Sequence, residues 1–326
     1  MRAFTCPSCS TRLFFANLTC SCGAAVRYRP ETDAFTRDGA DCRNRAAIGC
    51  NWAAASNGGG LCRACAMTEV VPDAAASGNK ALWSDAELSK RRVLVGFARW
   101  GWFAACDPGP RPRFHLLSES LANGSARVMM GHQAGLVTIN VTEADHAVRV
   151  VRREAFKEPY RTMTGHHRHE LGHFMFERLA GRLGFLPKFR AMFGDERADY
   201  AAALARHHAK GPPGDWRARH VSDYASAHPH EDWAESFAHL LHLTEIIDSF
   251  AAEGLGAADL PVGGYDPYGE ADAGKLIGLG VHLGIALNRV NRAMGLADIY
   301  PFVLSAAVRD KLAFVHGWMR VGPAQI

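Results

Sequence analysis

The segment 162–181, TMTGHHRHELGHFMFERLAG, constrains this chain more than any other. It contains His169-Glu-Leu-Gly-His173, an H-E-x-x-H pattern. Side chains four residues apart lie on one face of an α-helix, so a helical segment presents both imidazoles to one metal ion. Glu170 then lies beside the metal, where its carboxylate can accept a proton. Apolar residues such as Leu171 and Phe174 predict that the rest of the helix is buried.

A five-residue pattern can arise by chance, and a core helix with solvated histidines is the competing interpretation. Two observations favour a metal site. The pattern lies in an amphipathic stretch, and carboxylates suited to be a third ligand follow downstream in HEDWAESFAH, residues 230–239. Catalytic zinc takes three protein ligands and leaves a fourth position open for water.

The third ligand is predicted on a helix that follows Pro229. Acidic residues in its first turn, Glu231 and Asp232, also suit the helix dipole without any metal. Glu231 and Glu235 lie one turn apart on the same face, and either could complete the set. We predict that Glu231 is the ligand and that Glu235 holds the outer N–H of a ligand histidine. Four further histidines are expected to line the cleft or to lie on the helix surface: His228, His230, His239 and His242.

Eight of the nine cysteines lie within residues 6–65. In a cytosolic chain, closely spaced cysteine pairs favour zinc over disulfides. Residues 1–30 are predicted to form a zinc ribbon, with the ligands Cys6, Cys9, Cys20 and Cys22. Its second pair is a C-x-C, one residue shorter than the usual C-x-x-C, which leaves its local geometry open.

The second cysteine set is less regular, because its first two members are widely spaced. We predict a four-cysteine zinc site formed by Cys42, Cys50, Cys62 and Cys65. The alternative is that Cys42 and Cys50 are buried thiols. Since four thiolates leave no position for water, both cysteine sites are predicted to be structural.

The 326 residues are 48% hydrophobic and carry a formal net charge of +4. This mild charge, with no Lys/Arg run, neither requires nor excludes a nucleic-acid partner. No apolar run is long enough for a membrane span, so we expect a cytoplasmic protein with no membrane contact. Small residues, Pro and Gly at 70–80 predict a boundary between a zinc-ribbon region, 1–70, and a second domain, 80–326.

The predicted class is α+β, mainly helical with a small sheet. Ser84 followed by Glu87 is typical of a capping box and predicts a helix that ends near Trp102. Strands are predicted at 113–117, 126–130 and 135–141. We interpret the last as an edge strand that borders a cleft and could align an extended peptide.

Two resemblances follow from these residues. The stretch EDWAESFAH, with Tyr224 seven residues before Glu231, resembles the glutamate-ligand zincins of the anthrax lethal factor type. That resemblance implies that Tyr224 faces the zinc, that Glu231 binds it and that Glu235 supports the site.

The second resemblance covers nearly the whole chain. The sequence is similar to the Peptidase Mx family of bacterial zinc-binding metallopeptidases, in which a zinc-ribbon region precedes a zincin-like peptidase domain. The similarity rests on five segments, and Cys20-Ser-Cys22 departs from the family's C-x-x-C. These segments are Gly49-Cys-Asn-Trp52, Leu61-Cys-Arg-Ala-Cys65, Gly165-His-His-Arg-His-Glu-Leu-Gly-His173, Glu231-Asp-Trp-Ala-Glu235 and Tyr300-Pro-Phe302.

Together these observations predict a zinc-dependent peptidase that hydrolyses a peptide or other amide bond. One catalytic zinc is expected on His169, His173 and Glu231, and two structural zincs on the cysteines. Glu170 is the predicted general base, and Tyr224 the predicted donor to the developing oxyanion. Two alternatives stay open: a protease directed to DNA through its ribbons, and an adaptor whose ribbons bind a partner while its zincin site is vestigial.

Overall fold

The chain is described here by a computed structural model over residues 3–56, 59–156, 158, 160–256 and 264–323. It divides into two compact units, residues 1–167 and 168–326. Helices predominate, and the strands form small sheets, so the predicted α+β class is confirmed. Within the described ranges, no helix is both long and apolar enough to cross a bilayer.

All strands of the described residues lie in the first unit. They are β1 (Phe4–Thr5), β2 (Arg12–Leu13), β3 (Arg27–Arg29), β4 (Ala34–Thr36), β5 (Thr68–Val70), β6 (Arg113–Leu117), β7 (Ser120–Leu121), β8 (Gly124–Ser125), β9 (Gly131–Gln133) and β10 (Leu136–Asn140). Three of the four sheets are two-stranded antiparallel hairpins: β1–β2, β3–β4 and β7–β8. The largest sheet has the order β5-β6-β10-β9, with β5 and β10 parallel to β6 and with β9 antiparallel to β10.

This sheet corrects two predictions. The strand predicted at 135–141 is β10, but it lies between β6 and β9 and is not an edge strand. No strand forms at 126–130. The chain turns at Asn123, as predicted, but the returning strand β8 follows at once and is only two residues long. Most of the side chains that follow are exposed, and Met129 is 71% exposed, so burial does not favour a strand there.

The helices are α1 (Arg45–Ile48), α2 (Asn79–Arg99), α3 (His146–Phe156), α4 (Met163–Ala180), α5 (Phe185–Phe193), α6 (Tyr200–Lys210), α7 (Trp216–Arg219), α8 (Pro229–Ala252), α9 (Ala273–Ala293) and α10 (Ala306–Val321). Short 3₁₀ helices form at Cys65–Met67, Val141–Ala144 and Tyr224–Ser226. The H-E-x-x-H pattern lies within α4, and both candidate glutamate ligands lie in α8.

Helix α2 begins five residues before the predicted cap. Gly78, in the left-handed region at φ 83°, precedes its first residue, Asn79. The Ser84 hydroxyl donates instead to the carbonyl of Ile48, 2.8 Å away. Glu87 is fully buried and pairs with Lys90 at 2.8 Å, so the predicted capping box is wrong.

A compact aromatic cluster supports the cysteine-rich part of the first unit. Its rings have centroids 5.2–6.3 Å apart, and each side chain is less than a tenth exposed. The members are Phe4, Phe15, Tyr28, Phe35 and Trp52. Aromatic pairs at these distances stabilise a core beyond their burial alone.

A second aromatic cluster fills the core of the second unit around Trp233 of α8, which is fully buried. Phe185, Phe189 and Phe193 of α5 contact the Trp233 ring with centroids 5.5–6.0 Å away. Phe314 of α10 lies on the same indole at 6.2 Å. This packing fixes the position of α8, which carries the candidate glutamate ligands.

Candidate metal centres

The first cysteine cluster joins the ends of two turns. Cys6 Sγ lies 3.9 Å from Cys22 Sγ, and Cys9 Sγ lies 3.6 Å from Cys20 Sγ. A disulfide would require about 2.05 Å. Tetrahedral zinc with Zn–S bonds of about 2.3 Å separates its sulfurs by about 3.8 Å. These distances show that the short C-x-C does not prevent Cys22 from joining the cluster. Gly23, which follows Cys22, lies in the left-handed region at φ 83° and lets the chain turn there.

The second cluster brings all four remaining cysteines of residues 42–65 together. Cys50 Sγ lies 3.6 Å from Cys62 Sγ and 3.7 Å from Cys65 Sγ. Backbone N–H groups donate to Cys42 Sγ and Cys62 Sγ at 3.3 and 3.4 Å, so both sulfurs act as hydrogen-bond acceptors. All four side chains are buried, whereas Cys9 and Cys22 of the first cluster are exposed.

The two histidines of the H-E-x-x-H pattern meet on one face of α4. Their Nε2 atoms lie 3.2 Å apart, as the four-residue spacing predicts. Each imidazole is about one-seventh exposed, so the pair is partly accessible from solvent.

Glu231 of α8 supplies a carboxylate to this pair. Its Oε2 lies 3.1 Å from His169 Nε2 and 3.6 Å from His173 Nε2. The Glu231 side chain is buried, yet Oε2 has no hydrogen-bond partner among the described residues. A buried anionic oxygen without a hydrogen bond is costly, and a cation bound between it and the two imidazoles would remove that cost. The two nitrogens and this oxygen lie within 4.8 Å of one another and fit zinc.

Close packing of α4 on α8 makes this approach possible. A Cβ at Gly172, within the H-E-x-x-H pattern, would lie 3.1 Å from Ala234 Cα and 3.2 Å from Phe237 Cβ. Trp233 Nε1 donates to the Gly172 carbonyl at 2.7 Å. A larger residue at this position would push the two helices, and with them the three donors, apart.

Glu235 occupies a different place from Glu231. Its Oε1 lies 2.7 Å from His169 Nδ1, the ring nitrogen on the side opposite the candidate metal position. The Ser222 hydroxyl donates to the other oxygen at 2.6 Å. Glu235 therefore fixes the orientation of the His169 ring, and its geometry is that of a carboxylate behind a metal ligand.

Tyr200 holds the oxygen of Glu231 that does not face the histidines. Its hydroxyl donates to Oε1 at 2.6 Å. Neither Tyr200 nor Ser222 was predicted from the sequence, because both lie in segments without a motif. Only the folding of α6 and of the segment before α8 brings them to the carboxylates.

Glu170 and Tyr224 lie at the same site. Glu170 is 7% exposed. The ring of Tyr224 lies 6.0 Å from that of His169. Burial, followed by the negative charges of Glu231 and Glu170, raises the pKa of Tyr224 far above its usual value of 10. Its hydroxyl therefore keeps its proton and can act as a hydrogen-bond donor.

In the metal-free protein, the charges of the site favour the ionised forms of both His169 and Glu231. Burial lowers the pKa of His169, but the negative charge of Glu231 and the hydrogen bond to Glu235 outweigh it and raise that pKa well above 6.5. Burial raises the pKa of Glu231, but the two histidines hold it well below 4.5. Without metal, the site is thus a buried ion pair, and a bound cation would take the place of the proton.

The remaining histidines near α8 have other partners. His228 Nε2 lies 3.1 Å from the Ala198 carbonyl, His239 Nδ1 lies 2.8 Å from the Tyr300 hydroxyl, and His242 contacts Arg168. The ring of His230 lies 6.5 Å from that of His173. Burial and the neighbouring histidines lower the pKa of His230 to about 4, so it is neutral at physiological pH.

Comparison with known proteins identifies the family to which this chain belongs. The family described as "Putative zinc-binding metallo-peptidase" (Peptidase Mx) matches residues 79–318. The chain belongs to this family. An uncharacterized protein of Mycobacterium bovis and those of two Mycobacterium tuberculosis strains are each 40% identical to this chain. The alignments are 331 positions long and cover 97% of this chain and 94% of each relative.

No solved structure matches the chain. The resemblance to the anthrax lethal factor type is therefore not supported by the comparisons, and the zincin-like fold stays a prediction. Membership of Peptidase Mx supplies the expectation of zinc and of peptide hydrolysis, and no substrate.

Proposed function

We propose that this protein is a zinc metallopeptidase whose catalytic metal is held by His169, His173 and Glu231. The observation that carries the proposal is the buried Oε2 of Glu231, which lies 3.1 and 3.6 Å from two imidazole nitrogens and accepts no hydrogen bond from the part of the chain that the structure describes. Membership of a zinc-binding metallopeptidase family supports the same chemistry.

Zinc bound there would polarise the substrate carbonyl and lower the pKa of the attacking water toward about 7. Glu170 accepts the proton of that water and passes it to the leaving amine. Its position in the first turn of the pattern, beside His169, suits this role. Its burial also keeps bulk water from competing for the proton.

Tyr224 donates its hydroxyl proton in a hydrogen bond to the oxygen on which negative charge develops. The raised pKa of Tyr224 keeps this donor protonated at neutral pH. Glu235, Ser222 and Tyr200 hold the ligands in place and take no part in proton transfer.

The two cysteine clusters are proposed as structural zinc sites in a ribbon region of residues 1–70, followed by the peptidase domain of residues 80–326. Their sulfurs, 3.6–3.9 Å apart, suit four-coordinate zinc. Such sites stabilise a small region whose apolar core is limited.

The test is hydrolysis of dye-quenched casein by the zinc-loaded protein. Glu170→Gln should lower the rate by about 10²- to 10⁴-fold while zinc content stays the same, because the general base is lost and the ligands are kept. Glu177→Gln is the matched control: it is an exposed glutamate on the same helix and should leave the rate unchanged. Equal rates for wild type and Glu170→Gln would show that the base is wrongly assigned.

A further inference from the structure

A cavity of about 670 Å³ lies in the first unit, and neither a cysteine nor a residue of the proposed peptidase site lines it. Its walls include the apolar side chains of Trp52, Met67 and Pro112. Its volume falls within the range of about 300–1,000 Å³ typical of ligand pockets. Such a pocket needs a few polar groups to select its ligand, and here these groups are arginines.

Four arginines and two glutamates line the cavity, which leaves two positive charges in excess. Two arginines have carboxylate partners: Arg63 lies 3.1 Å from Glu31, and Arg113 lies 3.4 Å from Glu69. A third, Arg111, donates to the carbonyls of Phe103 and Ala104 at 2.7 and 2.8 Å. These three guanidinium groups are thus held in place by the protein itself.

Arg29 differs from the other three. It has no ion pair with any of the described residues, and its buried Nε has no hydrogen-bond partner. Its guanidinium lies against Gly39, where a Cβ would come within 3.0 Å of Nη2. Gly39 has φ 92°, a conformation that favours glycine. The chain thus leaves room for an arginine whose charge is not neutralised by its surroundings.

The neighbouring backbone suits an extended ligand. Glu69 lies on β5, which is an end strand of the four-stranded sheet. The outer side of β5 pairs with no strand among the residues described, so its main-chain groups are available to a further strand. Glu69 and Val70 are exposed.

We propose that this cavity binds an acidic segment of a peptide chain, with one carboxylate side chain paired to Arg29 and apolar neighbours against Trp52 and Met67. A carboxylate matches the guanidinium in geometry and charge. A nucleic acid fits less well, because Glu31 and Glu69 line the same cavity and would repel successive phosphates. The site would bind its peptide without cleaving it, so the proposal does not depend on hydrolysis.

The test uses the full-length chain carrying Glu170→Gln, which prevents cleavage of the probe if the proposed peptidase activity is present. The probes are two pools of blocked hexapeptides, identical except that one has a fixed central glutamate and the other a glutamine, with Ala, Val, Leu or Phe elsewhere. Peptides retained by the immobilised protein are quantified by mass spectrometry. We expect about tenfold or greater enrichment of the glutamate pool, as is typical of a charge-assisted hydrogen bond.

Arg29→Gln should abolish that enrichment, and Arg37→Gln, an exposed arginine of the same region that does not line the cavity, should keep it. Ala54→Phe, which fills the cavity from its wall, should abolish retention of both pools while thermal unfolding confirms a folded protein. Equal retention of the two pools, no retention at all, or enrichment that survives Arg29→Gln would overturn the proposal. Tighter, Arg29-dependent binding of a single-stranded DNA oligonucleotide would also overturn it and would assign the cavity to phosphates.

Discussion

The cysteine clusters and the histidine–glutamate centre are both candidate zinc sites, but the chain builds them differently. Each cysteine cluster has four sulfur donors, and the second cluster is entirely buried. The other centre offers two nitrogens and one oxygen, and its histidines are partly accessible. Four thiolates complete the coordination of zinc, whereas three donors leave a position for water.

The surroundings of the donors differ as well. In the second cluster, the Cys62 N–H donates to Cys42 Sγ and the Cys65 N–H donates to Cys62 Sγ, at 3.3 and 3.4 Å. The donors of the other centre are held by side chains from distant segments: Glu235 for His169, and Tyr200 for Glu231. One short segment, residues 42–65, supplies all four sulfurs of the buried candidate site. An open site needs a folded domain to hold its donors while the metal keeps a free position.

The largest expected effect separates the two kinds of site by their importance for folding. Cys50→Ser should prevent cooperative folding of the first unit, because structural zinc contributes about 10–16 kcal/mol in small zinc domains, which is comparable to the whole stability of a domain. His169→Ala should leave thermal unfolding of the first unit unchanged. Circular dichroism on heating measures both.

Cys106→Ser is the control for this comparison, because Cys106 is exposed and lies outside both clusters. If Cys50→Ser unfolds at the same temperature as Cys106→Ser, the buried cluster has no structural role.

The next effect distinguishes the two glutamates of α8. Glu231→Gln should lower zinc affinity of the open centre more than Glu235→Gln, whose loss should be about 10- to 100-fold, as is typical of a carboxylate that orients a ligand histidine. Competition with a chromophoric chelator gives both affinities. A larger loss of zinc affinity in Glu235→Gln than in Glu231→Gln would show that Glu235 is the metal ligand and that Glu231 supports it.

A smaller effect is expected at Tyr200. Tyr200→Phe removes the hydrogen bond to Glu231 Oε1 and should weaken zinc binding about tenfold, because that oxygen loses its donor in a buried site. Tyr265→Phe is a matched control, since the Tyr265 hydroxyl donates to Glu270 at 3.0 Å without any candidate metal nearby. Equal affinities for the two variants would show that Tyr200 does not act on the metal ligand.

The smallest expected effect is the release of a proton when zinc binds at the open centre. Because the pKa of His169 lies well above 6.5 without metal, His169 is protonated at pH 7, and zinc binding at the open centre should release about one proton. Glu231, with its lowered pKa, releases none. In the metal-free protein, the His169 contribution to stability is present below pH 6.5 and is lost as the pH rises through the folded pKa.

Calorimetric zinc titrations at pH 7 in buffers of different ionisation enthalpy count this proton, with the cysteine sites already loaded. A binding heat that does not depend on the buffer would show that His169 is neutral before the metal arrives.

Motif spacing was enough to predict which of these side chains lie together. The helical H-E-x-x-H segment, predicted at 162–181, is α4, Met163–Ala180. The pairs Cys6/Cys9 and Cys62/Cys65 share their clusters with the partners expected from their order along the chain. These predictions depend on the fixed geometry of a helix and of short loops, which the local sequence determines.

Tertiary packing determines the features of the site that could not be predicted from the sequence. Glu231 and Glu235 share one helix face, and only the approach of α8 to α4 at Gly172 decides which oxygen meets the Nε2 atoms. Tyr200 and Ser222 show no pattern in the sequence. The capping box predicted at Ser84 failed for the same reason, because tertiary hydrogen bonds engage Ser84 and Glu87 elsewhere.

The zinc content per chain tests the central claim most directly. Mass spectrometry should find three zincs in protein purified without added metal, and two in His169→Ala. His282→Ala, which replaces an exposed histidine of α9, should keep all three. Two zincs in the wild type and an unchanged number in His169→Ala would contradict the account. The cysteine sites would then be the whole metal complement, and the chain would be an adaptor rather than a peptidase.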